Sequence, residues 1–287
     1  MLDFLSSVPS VRILLKLLRR YTVHDVAREG AALAYYLLFS LFPLLILTSS
    51  LIGQLSLDIS GILRTLSIIL PVDVLRLVEN YLIYVSENTN RAMLWFSLVF
   101  SVWFPMRATG SLMGAVRRAY ELPPPRKRIR YAFRVAFYTG LLLFSITLTL
   151  LLATLGRDAV AAIASTVGLP GEFSGLWQFA RFLLLGLVAF GALAALYAAA
   201  QDMWRGARAI LPGAVLSTLS WIALSALYSF YAEFLSNYDL IYGTLGAVIV
   251  LLIWLYLTAL VLILGAEINA LLVPSGTGSD TDQGETL

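Results

Sequence analysis

Six long runs of apolar residues divide the chain, at Ala31–Gly53, Met93–Leu112, Ala132–Leu155, Gln178–Ala200, Ala209–Ala232 and Tyr242–Val273. A helix that crosses the hydrocarbon core of a bilayer needs about 20 predominantly apolar residues. The runs are continuous rather than alternating, and they are about twice as long as a barrel strand. The pattern predicts an all-α polytopic membrane protein, a bundle of six transmembrane helices. The last run exceeds one crossing, so it is expected to tilt or to continue past the interface.

The segments between the runs have patterns of their own. Pro9–Arg20 places Arg12, Lys16, Arg19 and Arg20 on one helical face and Val11, Leu14, Leu15 and Leu18 on another. That predicts an amphipathic helix in the headgroup layer, its basic face toward anionic lipid. Residues 1–10 lack a basic n-region, so they do not read as a cleavable signal. The long first connection reads as two short external helices, Asp58–Leu70 and Pro71–Ser86, with Pro71 suited to a helix start. The expected organisation is a cytoplasmic N-terminal helix (1–30), a six-helix membrane domain (31–273) and a disordered cytoplasmic tail (274–287) rich in Gly, Ser, Thr and Asp.

Composition agrees with a membrane protein. Hydrophobic residues make up 60% and charged residues 13%, against about 45–50% and about 25% in an ordinary soluble domain. The absence of cysteine excludes disulfides and thiolate metal sites, and the single histidine, His24, excludes sites that need two imidazoles. Neither a metal nor another cofactor is expected.

The basic residues are distributed unevenly. Arg12, Lys16, Arg19, Arg20, Arg28, Arg107, Arg117, Arg118, Arg126, Lys127, Arg128, Arg130, Arg134, Arg205 and Arg208 fall on one side, 15 of the 20. Basic connections mark the cytoplasmic side, so both termini are placed inside. The same rule accounts for the Pro123-Pro-Pro-Arg-Lys-Arg-Ile-Arg130 run without nucleic-acid binding, and the net charge of +3 adds nothing toward it.

Two sequence blocks carry a family resemblance. One is Gly30-Ala-Ala-Leu-Ala-Tyr-Tyr-Leu-Leu-Phe-Ser-Leu-Phe-Pro-Leu-Leu-Ile46; the other runs from Tyr242-Gly-Thr-Leu-Gly246 to Leu264-Gly-Ala-Glu-Ile-Asn-Ala270. With Pro212-Gly-Ala214, they make the chain similar to the YihY/BrkB family of bacterial inner-membrane proteins. The resemblance implies a cell-envelope role and points toward lipid transport. A ribonuclease label once attached to the family is regarded as mistaken, and the resemblance supplies no catalytic residues.

Ionisable groups at membrane depth are the functional candidates, since each opposes insertion by about 2.5–3.5 kcal/mol. Arg107, two residues after Pro105, and Glu267, in Leu264-Gly-Ala-Glu-Ile-Asn269, stand out. An arginine beside a proline-freed carbonyl suits a phosphate or carboxylate. The plainer alternatives are an Arg107–Glu267 pair that fixes helix register and an arginine that snorkels to the interface. Glu29, Asp202 and Arg205 would either extend a polar cluster at the cytoplasmic mouth or stand as solvated interfacial charges, and Asn269 would hydrogen-bond between helices. Gly110-Ser-Leu-Met-Gly114 is a small-xxx-small pattern, read as internal packing.

These features favour a non-enzymatic inner-membrane transporter or flippase for a lipid or amphipathic anion, with anionic membrane lipids as partners and a homo-oligomer left open. The alternatives are an ion-coupled solute or cation transporter and a non-transporting scaffold. A ribonuclease ranks last, because its hydrolysis needs a folded site with acid/base groups or metal carboxylates.

Overall fold

The structure is a computed structural model that describes residues 9–55, 91–154, 173–201, 206–235 and 244–272, together with 63, 67, 72, 75–80 and 83. The described helices are α1 (Pro9–Val23), α2 (Val26–Leu55), α3 (Arg91–Ala119), α4 (Arg128–Thr154), α5 (Phe173–Ala200), α6 (Leu211–Leu235) and α7 (Thr244–Leu272), with a short 3-10 turn at Ala207–Ala209 before α6. No strand occurs among the described residues. The first external helix and the tail expected from the sequence lie essentially outside them, while residues 75–80, within the second, are helical.

Five helices contain a stretch long and apolar enough to cross a membrane: Val26–Leu47, Arg128–Thr149, Leu183–Ala200, Leu211–Tyr228 and Val248–Leu272. The α3 helix is not among them. At 29 residues it would extend about 44 Å, but Arg107, Pro105 and several Ser and Thr residues dilute its apolar character. Length and composition therefore support five crossings among the described residues.

Packing makes α7 central. It lies against α1, α2, α3 and α6, while α2 and α3 share the most extensive contact and α4 pairs with α5. Side chains exposed on the outer faces are large and apolar, including Trp95, Phe133, Phe137, Leu183 and Leu227. A surface of that kind is stable in hydrocarbon and not in water.

The core divides along the bundle axis. Its larger part includes Leu33, Met113, Val116, Leu196, Tyr197, Ile210, Ala259 and Ile263. This part adjoins the end where Arg20, Arg117, Arg118 and Arg134 gather, called here the basic end. A smaller cluster of Ala34, Tyr228, Leu251, Trp254 and Leu255 includes Val78, which packs against the opposite part. Many basic-end core residues are alanine, which lets the backbones approach closely.

Local chemistry sets the turns at the basic end. Asp25 adopts φ 51° between α1 and α2, a left-handed conformation that Asp tolerates better than most residues. After α3, Glu121 has φ 52°. Leu122 N donates to Arg117 O and Glu121 N to Arg118 O, each at 2.9 Å. This pair of bonds is a Schellman C-cap, and Pro123 follows it as a helix stop.

Candidate functional site

The densest polar arrangement sits where α1 meets α7. Along α1, Leu17, Arg20, Tyr21 and His24 follow helical spacing and are the partly buried positions between Ile13 and His24. This is the face turned to the bundle. Ile13, Leu14, Leu15 and Leu18 are exposed apolar groups, and Lys16 and Arg19 point elsewhere into solvent. The sequence reading that grouped Arg20 with Arg12, Lys16 and Arg19 is therefore corrected. At about 100° per residue, Arg20 is rotated by about 80° from Arg12, enough to turn it inward.

Glu267 is 1% exposed, and its carboxylate oxygens are engaged by Arg20 of α1 and by His24 in the turn that follows it. Arg20 Nη1 donates to Oε2 at 3.3 Å, and His24 Nδ1 donates to Oε1 at 2.6 Å. The same Arg20 nitrogen donates to Ala119 O at the end of α3, at 2.9 Å. Its other terminal nitrogen lies 3.2 Å from Glu121 Oε1. One arginine thus ties together α1, α7 and the α3 terminus. Nearby, half-buried Glu29 pairs with Arg118, joining α2 to α3.

Arg107 and Glu267 do not pair: Glu267 is bonded to Arg20 and His24 instead. Arg107 is exposed on α3, where Nη2 donates to Tyr36 Oη at 3.2 Å and the guanidinium lies 5.4 Å from that ring's centre. Among the described residues it has no ion-pair partner. It precedes Arg118 by 11 positions, about 16 Å of helix and roughly half the hydrocarbon thickness. Tyr35, Phe39 and Trp103 in the same region of α2 and α3 are all exposed.

Asn269 and Gly213 form a second polar centre. Asn269 Oδ1 accepts from Gly213 N at 2.6 Å, and Nδ2 donates to Ile210 O at 2.8 Å. Gly213 N is one of the amides that a helix start leaves open, while Ile210 O also accepts from Ala214 N at 3.2 Å. A Cβ at Gly213 would clash with Gly265 O, and one at Gly265 would clash with Ser217 Oγ. The α6 and α7 backbones touch there. Tyr197 from α5 completes the crossing by donating to Leu262 O at 2.5 Å, with Ser217 Oγ 3.1 Å from its hydroxyl.

This crossing gives Pro212-Gly-Ala214 and Leu264-Gly-Ala-Glu-Ile-Asn269 a structural role that their sequences did not disclose. The Gly110/Gly114 pattern does not make the close approach. A Cβ at Gly110 would meet Val135 at an ordinary 3.7 Å, and one at Gly114 would meet nothing within 4 Å.

Sequence reasoning missed the partners at the basic end. Arg117, 4% exposed, donates to Ala200 O at 3.1 Å, and Arg134 donates to Ala199 O at 3.1 Å. Both satisfy the carboxyl end of α5, where open carbonyls and the helix dipole favour cations. The sole histidine and the Arg20/His24 spacing were the available signals for the α1 cluster. Asp202 and Arg205 lie outside the described residues.

The apolar spans and buried polar ties define an all-helical integral membrane protein. Within that class the chain belongs to the family described as "Virulence factor BrkB", whose model matches residues 17–286, in agreement with the resemblance drawn from the two sequence blocks. It is 34% identical over 257 residues to the "Putative ribonuclease-like protein YfkH" of Bacillus subtilis, covering 90% of this chain and 94% of that one. It is 25% identical to a "UPF0761 membrane protein" of Chromohalobacter salexigens, covering 91% of this chain and 63% of the relative. Another UPF0761 membrane protein, from Vibrio parahaemolyticus, is 26% identical, with 92% and 83% covered. No solved structure matches the chain.

Proposed function

We propose that this protein is a non-enzymatic transporter or flippase for a lipid or amphipathic anion in the bacterial inner membrane, with α3 as the sixth span and both termini cytoplasmic. The observation that carries the reading is Arg107. Its charge is held near mid-span on the outside of the bundle, stacked on Tyr36 and without an acidic partner among the described residues. Such a charge is unfavourable in hydrocarbon unless an anion or water meets it.

A headgroup that crosses beside Arg107 keeps its tails in the surrounding lipid. The interior at the basic end is filled by fully buried Met113, Val116, Tyr197 and Ala259, which favours a peripheral route over a central channel. A proton relay would run through Glu267 and the His24 bonded to it, and a translocation rate that does not change with a proton gradient in the same vesicles would remove that alternative. The basic termini and connections support the orientation.

The test is lipid translocation in proteoliposomes that carry a fluorescent phosphatidylglycerol, read by quenching from outside. Wild type is expected to expose inner-leaflet label faster than empty vesicles. Arg107→Ala should abolish the increment, and Arg107→Lys should retain part of it as a charge without the bidentate fork. An equal rate in empty, wild-type and Arg107→Ala vesicles would reject the proposal.

A further inference from the structure

The amino end of α4 carries a feature that the mid-span site does not use. Lys127, Arg128, Ile129, Arg130 and Phe133 line one surface groove. Arg126, Lys127, Arg128 and Arg130 are exposed, and none has an acidic partner among the described residues. At the same end Arg20, Arg28 and Arg118 are paired with carboxylates, and Arg117 and Arg134 are bonded to carbonyls.

The groove continues as an apolar track. Ile129, Phe133, Phe137 and Phe144 are 76%, 74%, 68% and 62% exposed. At about 100° per residue they fall, with Arg130 and Gly140, within one stripe of roughly 100°. Gly140 leaves a notch between Phe137 and Phe144, since a Cβ there would meet nothing within 4 Å. The stripe begins where the candidate span Arg128–Thr149 begins, so the cations stand at headgroup level and the aromatic rings at acyl-chain level.

We infer that this groove binds one anionic phospholipid of the inner leaflet, its phosphate held by Lys127, Arg128 and Arg130 and an acyl chain laid along Ile129, Phe133 and Phe137. Charge complementarity selects the headgroup. Arginine and lysine together favour phosphate, and the first turn of α4 contains no acidic residue to neutralise them. The continuous apolar stripe selects a lipid over a soluble phosphate, which would gain nothing from the rings. The site is separate from Arg107 and stands whether or not lipid is translocated.

Native mass spectrometry of the full chain in neutral detergent, titrated with phosphatidylglycerol or phosphatidylcholine, tests the site. The variants are Arg128→Gln/Arg130→Gln, Phe133→Ala/Phe137→Ala with every cation retained, and Arg126→Gln as a control outside the groove. All the changed side chains are exposed, and size-exclusion profiles check that each variant remains folded. One phosphatidylglycerol should bind preferentially to wild type. The double arginine change should weaken it about tenfold or more, the double phenylalanine change severalfold, and the Arg126 change little.

Equal binding of the two lipids would overturn the inference. So would a loss from Arg126→Gln as large as from the double arginine change, which would signify only a diffuse positive field. Displacement of the lipid by millimolar inorganic phosphate would also reject it, because the track would then contribute nothing.

Discussion

Removing the carboxylate of Glu267 should detach α1 from the bundle. In Glu267→Ala, Arg20 and His24 lose their shared partner, although Arg20 keeps Ala119 O and Glu121. Breaking a buried ion pair by deleting one member is destabilising by about 3–5 kcal/mol. The bonds left to Arg20 place the expected loss at the lower end, about 3 kcal/mol. Glu267→Gln should lose less, about 1 kcal/mol, since the amide oxygen still accepts from Arg20 and the amide nitrogen can donate to His24 Nδ1 in its other tautomer, so that chiefly the charge is lost.

A double-mutant cycle separates the contact from general disruption. Arg20→Ala alone should lose about 2 kcal/mol, and the double variant should fall short of the sum by about 1.5 kcal/mol. Stability is measured by equilibrium unfolding in mixed micelles, followed by tryptophan fluorescence. Tryptic cleavage at Lys16 and Arg19 reports release of α1 in the same samples. Additivity within about 0.5 kcal/mol, or unchanged cleavage in Glu267→Ala, would refute the reasoning.

Two further changes probe the α5–α6–α7 crossing. Gly265→Ala sets a methyl against Ser217 Oγ and the Tyr197 hydroxyl, and overpacking of this kind should lower stability by about 1–3 kcal/mol; a neutral result in the same unfolding assay would show that α6 and α7 do not touch there. Asn269→Ala leaves Gly213 N and Ile210 O without their side-chain partner, for an expected loss of about 2 kcal/mol. Asn269→Asp keeps the acceptor for Gly213 N but turns an oxygen toward Ile210 O and buries a charge, so it should lose at least as much; a neutral result for Asn269→Ala would remove the capping role.

The basic end shows why charge counting and structure assign different work to the same residues. Positive-inside arithmetic treats Arg20, Arg117, Arg118 and Arg134 as interchangeable markers of orientation. In the folded protein Arg20 closes α3 and binds Glu267. Arg117 and Arg134 close α5, and Arg118 binds Glu29. A helix that ends near a membrane interface leaves carbonyls that need donors, and long cationic side chains from neighbouring helices provide them.

What the chain discloses unaided is its relation to the bilayer. The expected span Gln178–Ala200 lies within α5, and Tyr242–Val273 encloses α7 with a margin of one or two residues. Such agreement arises because hydrocarbon demands about 20 apolar residues whatever the neighbours are. The demand also explains the ambiguity at α3, where Arg107 and Pro105 dilute the signal in a helix that packs extensively on α2. The polar candidates were likewise visible as residue types out of place in an apolar run.

Their partners were not visible. Glu267 meets Arg20 and His24 across some 240 residues of chain, and Asn269 reaches back to Gly213 and Ile210. Those meetings depend on helix rotation, which side-chain packing fixes and periodicity leaves free in a helix apolar all round. The close crossing illustrates the same limit: Gly110/Gly114 and Gly213 with Gly265 are equally plausible as small residues in sequence. Only the placement of α6 against α7 brings two backbones together at one pair and leaves the other with room to spare.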